Sequence, residues 1–173
     1  MNKGQILEEI SEFLSIPIPN YIECLDISNL YKQDTVAGFL VFLNGEKNLT
    51  KSKLYKLNEA ESESDLYRIR SACLTHYQKY SQLEMPNLII VDGAKEQVKS
   101  VQQVLKELEL ETKIIGLAKD EKHRTTRIIN SNLKELEFGD KEKIRNFFTN
   151  CQEEVHRYAI NFHRKIHRKR ILA

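Results

Sequence analysis

Two short apolar runs in this chain each end in an aspartate: Tyr21-Ile22-Glu23-Cys24-Leu25 leads into Asp26, and Leu88-Ile89-Ile90-Val91 leads into Asp92. A carboxylate at the end of a buried strand is costly unless a proton, a cation or a metal neutralises it. A fold that contains both runs must therefore answer that charge where the strands end. Two strands delivering carboxylates to one end of a sheet would offer hard oxygen ligands suited to Mg²⁺ or Mn²⁺. Taken singly, each aspartate reads equally well as a cap or turn residue. A third polar group, His156, sits on the flank of a late apolar helical stripe.

The periodicity around these residues predicts alternating elements. Ile6, Ile10, Phe13 and Leu14 have helical spacing over 5–14, and Pro17 and Pro19 then break the pattern. Strands are expected at 21–27, 34–43 and about 48–57. Asn44-Gly45, both tolerant of positive φ, joins the second to the third as a hairpin. Ser64-Asp65 starts a helix reaching about residue 80, and Leu88–Asp92, a helix over 95–109 and Ile114–Ala118 make a βαβ unit with parallel strands. Arg127–Asn130 and Leu133–Leu136 flank Ser131-Asn132 as a small hairpin. From Lys141 one long helix follows, striped by Ile144, Phe147, Phe148, Cys151, Val155, Tyr158, Ala159 and Phe162. The expected fold is α/β, with a five-stranded mixed sheet (an antiparallel meander plus parallel strands) flanked by helices, in a single domain over 1–173 in which 1–20 form a leading helix and linker.

No apolar stretch approaches the roughly 20 residues that span a bilayer, and the polar start differs from a secretory leader. A cytoplasmic protein is expected, with neither a membrane nor a small-molecule cofactor in its chemistry. Cys24, Cys73 and Cys151 are odd in number and widely spaced, which predicts buried free thiols. The net charge of only +2 conceals a concentrated basic end: from Arg157 to Arg170 the chain carries Arg157, Arg164, Lys165, Arg168, Lys169 and Arg170 and no acid. A second cluster, Lys119, Lys122, His123, Arg124 and Arg127, follows a strand. Such blocks are footprints for phosphates, or else solvated faces. Two of them beside a candidate metal site point to nucleic acid.

The ordered segments IECLDISN, DTVAGFLVF, LIIVDGAKEQ, GLAKDEKHRT and EEVHRYAINFHRK resemble the C-terminal endonuclease half of the UvrC family of bacterial nucleotide excision repair, from about Tyr21 to Arg170. The resemblance implies an RNase H-like fold, a divalent metal, incision on the 5′ side of a lesion in damaged duplex DNA, and a role in DNA repair and the SOS response. It also implies a UvrB–DNA complex as partner of the full-length protein. On the matching motifs, Asp26, Asp92 and His156 would be the catalytic triad, and Asp65 a further acid. The family's GIY-YIG nuclease domain, UvrB-binding region and helix-hairpin-helix pair are not among these residues. The chain also departs from the family pattern. Asp92-Gly93-Ala94-Lys95-Glu96 stands for Asp-Gly-Gly-Lys-Gly, Leu54-Tyr55 for Tyr-Arg, and Gln152-Glu153-Glu154 for Arg-Asp-Glu, while a glycine common after the first motif is missing near Lys32.

In this reading Asp26 and Asp92 ligate the metal, and His156 serves as general base, general acid or third ligand. A second ion would need a bridging carboxylate, for which Asp65 or Glu153 is available. Lys95, Lys119, Lys122, Arg124, Arg157, Arg164 and Lys165 would track phosphates, and such contacts position DNA without reading its bases. Tyr31 and Tyr158 read as core or rim aromatics, or as stacking platforms for a displaced base. The rival is a degenerate, non-catalytic RNase H-like module that binds DNA or a repair partner. A junction-resolving or transposase-type nuclease fits the architecture but not the motifs.

Overall fold

A computed structural model describes residues 2–31, 34–57 and 64–172, excepting the side chains of Leu30, Tyr31, Asp34, Arg170 and Leu172. Lys32 and the Tyr31 side chain, which entered the sequence reading, thus lie outside the described residues. The elements in chain order are α1 (Lys3–Leu14), β1 (Tyr21–Tyr31), β2 (Asp34–Leu43), β3 (Glu46–Leu57), α2 (Asp65–Tyr77), a 3₁₀ turn (Gln82–Glu84), β4 (Leu88–Asp92), α3 (Lys95–Glu107), β5 (Lys113–Lys119), β6 (Thr125–Ile129), β7 (Glu135–Glu137) and α4 (Glu142–Leu172). They form a mixed sheet ordered β3-β2-β1-β4-β5-β6-β7. β1 and β4 are parallel, as are β4 and β5, and the remaining neighbours are antiparallel.

The sheet has seven strands and not the expected five. The small hairpin after the basic loop does not stand apart; its first strand hydrogen-bonds to β5 and extends the sheet. Thr125-Thr126-Arg127 looks like loop in sequence because this strand lies near the edge, where polar and charged side chains are tolerated and discourage further pairing. Other expectations hold closely. Asn44 and Gly45 have φ of 53° and 84°, as the two-residue hairpin between β2 and β3 requires. Ser64 accepts a hydrogen bond from the Tyr67 N–H and caps α2. The three cysteines are free and buried.

Alternation along β1 sends its side chains into two cores. Ile22 and Cys24 join Leu40, Phe42, Ile90 and Ile115 under α1 and α4, and Leu25 joins Phe39, Ile89 and Val91 under α2 and α3. The apolar stripe foreseen for α4 is the one it buries: Ile144, Phe148, Cys151, Val155 and Ala159 are inaccessible, and Tyr158 packs beside them. That placement favours the core role for Tyr158 over base stacking. Glu23 is fully buried on the opposite face, accepting from the Tyr77 hydroxyl and facing His76 Nε2 at 3.1 Å. Tyr55 reaches His76 Nδ1 at 2.8 Å and Phe39 stacks on the imidazole at 3.8 Å between centroids, so a polar knot ties α2 to β1 and β3.

Gly116 on β5 leaves no room for a side chain. A Cβ there would lie 2.5 Å from the Gly93 carbonyl oxygen, in the loop directly after Asp92. Backbone cannot swing aside as a side chain does, so Gly116→Ala should force β5 and this loop apart. Overpacking of this kind costs about 1–3 kcal/mol. A lowered denaturant midpoint at unchanged slope is the expected measurement, and a wild-type midpoint would show the loop to be freely adjustable.

Candidate active site

Parallel pairing brings the two aspartates together. Leu25 is in register with Val91, so the next residues, Asp26 and Asp92, emerge side by side; Asp92 closes β4, whereas Asp26 is not at a strand end as the apolar run suggested, because β1 continues to Tyr31 through its pairing with β2. Gly93, with φ of 140°, then turns the chain, and its N–H donates to Leu117 O at 3.1 Å. On the other side of Asp26 its partner across the ladder is Gly38, where a Cβ would stand 3.3 Å from Ala159 Cβ. The absent side chain lets α4 run close over β1 and β2. One turn earlier on that helix, His156 Nδ1 reaches Asp26 Oδ2 at 3.0 Å.

The two carboxylates differ in environment. The Asp26 side chain is only 11% exposed. Burial raises its pKa above the ordinary aspartate value, His156 opposes the shift through hydrogen bond and charge, and the Asp92 charge adds to it. The Asp92 side chain is 40% exposed, accepts from Gln152 Nε2 at 2.8 Å through Oδ1, and has Lys119 Nζ 3.7 Å from Oδ2. Gln152 is itself held, its Oε1 accepting from the Thr125 hydroxyl at 2.7 Å.

Above the pair opens a cleft of about 560 Å³. Asp26, Asp92, Glu153 and His156 line it together with Lys119, His123, Arg124 and Arg145. Of the residues expected from sequence, the structure therefore gathers Asp26, Asp92, His156, Glu153, Lys119 and Arg124. Asp65 opens α2 on the other side of the aspartates, where with Asn29, Ile69 and Gln97 it lines a smaller hollow of about 140 Å³ that they share. Its carboxylate is 3.3 Å from Arg68. Lys95 and Lys122 are exposed and are not among the residues that line the cleft. Arg157 pairs with Glu154 at 3.1 Å, while Arg164 and Lys165 lie exposed further along α4.

The cleft also contains residues that sequence reasoning passed over: Arg145, Asn146, Thr149, Gln152 and Thr125, with His123 counted only as part of a charge run. A signal was present. Arg145, Thr149, Gln152 and His156 recur at helical spacing and form a polar stripe beside the apolar one on α4. His123 adopts φ of 62° in the β5–β6 turn, whose backbone Asp120 fastens by accepting from the N–H groups of Lys122 and Arg124, each at 2.9 Å. Those bonds, the one from Arg124 first, hold the Asp120 carboxyl below its usual pKa.

A family model described as the UvrC RNase H endonuclease domain matches residues 11–160. The chain belongs to this family. UvrABC system protein C of Malacoplasma penetrans is 37% identical over 162 residues, covering 91% of this chain and 28% of that protein. The namesake from Ureaplasma parvum serovar 3 is 35% identical over 167 residues, with 95% and 29% covered. The chain thus spans under a third of the UvrC-family relatives it matches. Among solved structures, Ciona intestinalis Endonuclease V in complex with an inosine-containing 24mer DNA gives a TM-score of 0.40 at 13% identity, over 69% of this chain and 60% of that one. Human ENDOV gives 0.39 at 8% identity, over 75% and 77%. No described helix is long and apolar enough to cross a membrane.

The donor set suits a cation that relies on few protein ligands. Among the described residues no three or more His, Cys, Asp or Glu groups are gathered as a ready-made cage. Two adjacent carboxylates in an open cleft are, however, what Mg²⁺ needs, since it keeps several waters and takes phosphate oxygens for the rest. That Asp92 disfavours the ionised form of Asp26 also means that a cation between them would relieve a repulsion.

Proposed function

We propose that this domain is a divalent-metal-dependent DNA endonuclease that makes the 5′-side incision of nucleotide excision repair. Its substrate is damaged duplex DNA, presented in the complex with UvrB when the domain is part of a full-length protein. The observation that carries the reading is the placement of Asp26 and Asp92 side by side on adjacent parallel strands, with His156 bonded to Asp26, in a cleft that basic side chains also line. Membership of the UvrC RNase H endonuclease family supports it.

Hydrolysis of a phosphodiester needs an activated water, relief of charge on the phosphoryl oxygens and a proton for the leaving 3′-oxygen. Asp26 and Asp92 would hold the Mg²⁺ or Mn²⁺, which when bound supplies Lewis-acid stabilisation of phosphoryl charge. To do so Asp26 sheds the proton that burial encourages it to keep. Once ionised it can only accept, so His156 must donate through Nδ1–H, and in the neutral ring Nε2 is the proton acceptor. A base oriented by a carboxylate can take a proton from water and later return one to the leaving group. Lys119, Arg124 and Arg145 would steady the phosphates on either side of the reacting one.

The test is incision of a lesion-bearing duplex, mapped to the nucleotide. Cutting 5′ of the lesion in Mg²⁺ or Mn²⁺, and none in EDTA, is the expected result. DNA that is bound and left intact under every metal condition would favour the non-catalytic module.

The closing helix supplies a separate expectation. Arg164, Lys165, Arg168 and Lys169 are all exposed on α4. Changing the four to alanine should weaken duplex binding and flatten its salt dependence, each lost phosphate contact removing about 0.9 from the log–log slope. An unchanged slope would reduce this run to a solvated tail.

A further inference from the structure

Thr125 opens β6, Gln152 lies on α4 and Asp92 ends β4, three elements joined here by two hydrogen bonds. The Thr125 hydroxyl donates to Gln152 Oε1 at 2.7 Å, and Gln152 Nε2 donates to Asp92 Oδ1 at 2.8 Å. The relay has one sense only. An ionised carboxylate accepts and never donates, so the amide nitrogen faces Asp92, and the carbonyl end is left to receive the Thr125 proton. Thr125 is 5% exposed, so the anchor at the far end of the relay is set in the core, whereas the Asp92 side chain it governs is 40% exposed. A carboxylate that open would otherwise sample several rotamers, and Lys119, at 3.7 Å from Oδ2, is too far away for a direct hydrogen bond.

We propose that Gln152, held by Thr125, is a positioning residue that fixes the Asp92 carboxylate for a divalent cation, engaging Oδ1 and leaving Oδ2 to the cleft. The inference rests on the reading of Asp26 and Asp92 as the cation-holding pair. Groups that orient a metal-binding side chain without touching the metal typically contribute 10- to 100-fold in affinity, because an unheld ligand must be ordered at the moment of binding.

The experiment is titration of the metal-free chain with Mn²⁺ in the absence of DNA, followed by electron paramagnetic resonance, for wild type, Gln152→Leu, Thr125→Val, the double variant and Asp92→Asn. Gln152→Leu should weaken Mn²⁺ binding by about 10-fold or more. Thr125→Val, which keeps the shape of the threonine and removes its hydroxyl, should weaken it by about 5-fold, the worth of one neutral hydrogen bond. The double variant should bind no more weakly than Gln152→Leu alone, because the hydroxyl acts only through the amide. Thermal melts establish folding, and if Gln152→Leu does not fold, Thr125→Val alone decides. Wild-type affinity in these variants, or losses that add in the double variant, would overturn the clamp. If Asp92→Asn is then the variant that loses Mn²⁺, the cation site survives without it. Should wild type show no Mn²⁺ binding that depends on Asp92, the cation-site reading fails first and the clamp falls with it.

Discussion

Asp26→Asn and Asp92→Asn should each abolish incision, a fall of ~10³-fold or more, equivalent to at least ~4 kcal/mol on the barrier. Affinity for duplex DNA should stay within a few fold, because the proposed phosphate contacts lie on other residues. Asparagine preserves shape and much of the local hydrogen bonding but cannot supply the charge that holds a divalent cation. The Asp26 variant carries a second signature, in stability. Burial raises the Asp26 pKa in the folded chain. Its contribution is therefore fully present below the unfolded value of about 3.9 and is lost as pH rises through the folded value. Because the raised pKa makes ionisation of Asp26 easier in the unfolded chain than in the folded one, Asp26→Asn should melt higher than metal-free wild type at pH 7, and the gap should close towards pH 3. Incision gels, a binding isotherm and melts at the two pH values test the set. Nicking at the wild-type rate by either variant would sink the ligand assignment.

His156→Ala should slow incision by roughly 10²- to 10⁴-fold, the usual contribution of a placed general acid or base. The side chain is 62% exposed and, among the described residues, hydrogen-bonds to Asp26 alone, so its removal should leave the fold intact. The structure gives reason to separate two roles. With Nδ1 engaged by Asp26, a proton-transfer role uses Nε2 and leaves Mn²⁺ affinity nearly unchanged, whereas a ligand role loses affinity and rate together. A variant unaffected in both would make the histidine structural and remove a main support of the nuclease reading.

Much of this architecture was legible in the chain itself. Asn44-Gly45, Ser64-Asp65 and the paired prolines after α1 act through local backbone preference, so they place their turn, cap and break without tertiary help. Asp26 and Asp92 announced themselves because a carboxylate following an apolar run is costly wherever it occurs, although β1 runs on past Asp26 to Tyr31. What stayed hidden depended on partners far away in sequence. Strand β6 opens with Thr125-Thr126-Arg127 and gains its strand character only by pairing with β5. Glu23, in the middle of an apolar run, has no local reason to be buried; His76 and Tyr77, some fifty positions on, provide it. Gln152 looked like the loss of an arginine from a motif, and only the fold reveals Thr125 at its other end. The basic residues divided in the same way. Charge runs identify a cationic region but not its geometry, so Arg145 was missed.

Helix α4 runs unbroken from Glu142 to Leu172, without a glycine or proline to bend it. At about 1.5 Å per residue, Arg164 stands ~12 Å and Lys169 ~20 Å from His156 along one stiff axis. A duplex advances about 3.4 Å per base pair, so on a duplex lying along α4 those two cations would fall roughly four and six steps from the imidazole. On the proposed reading the helix would serve as a ruler, setting how far from the cut the DNA is gripped and on which side. Deleting one residue between His156 and Arg164 would leave the composition almost untouched, yet turn the grip by about 100° about the helix axis. The footprint beyond the nick would then rotate out of phase with the site, even though each charged side chain remained.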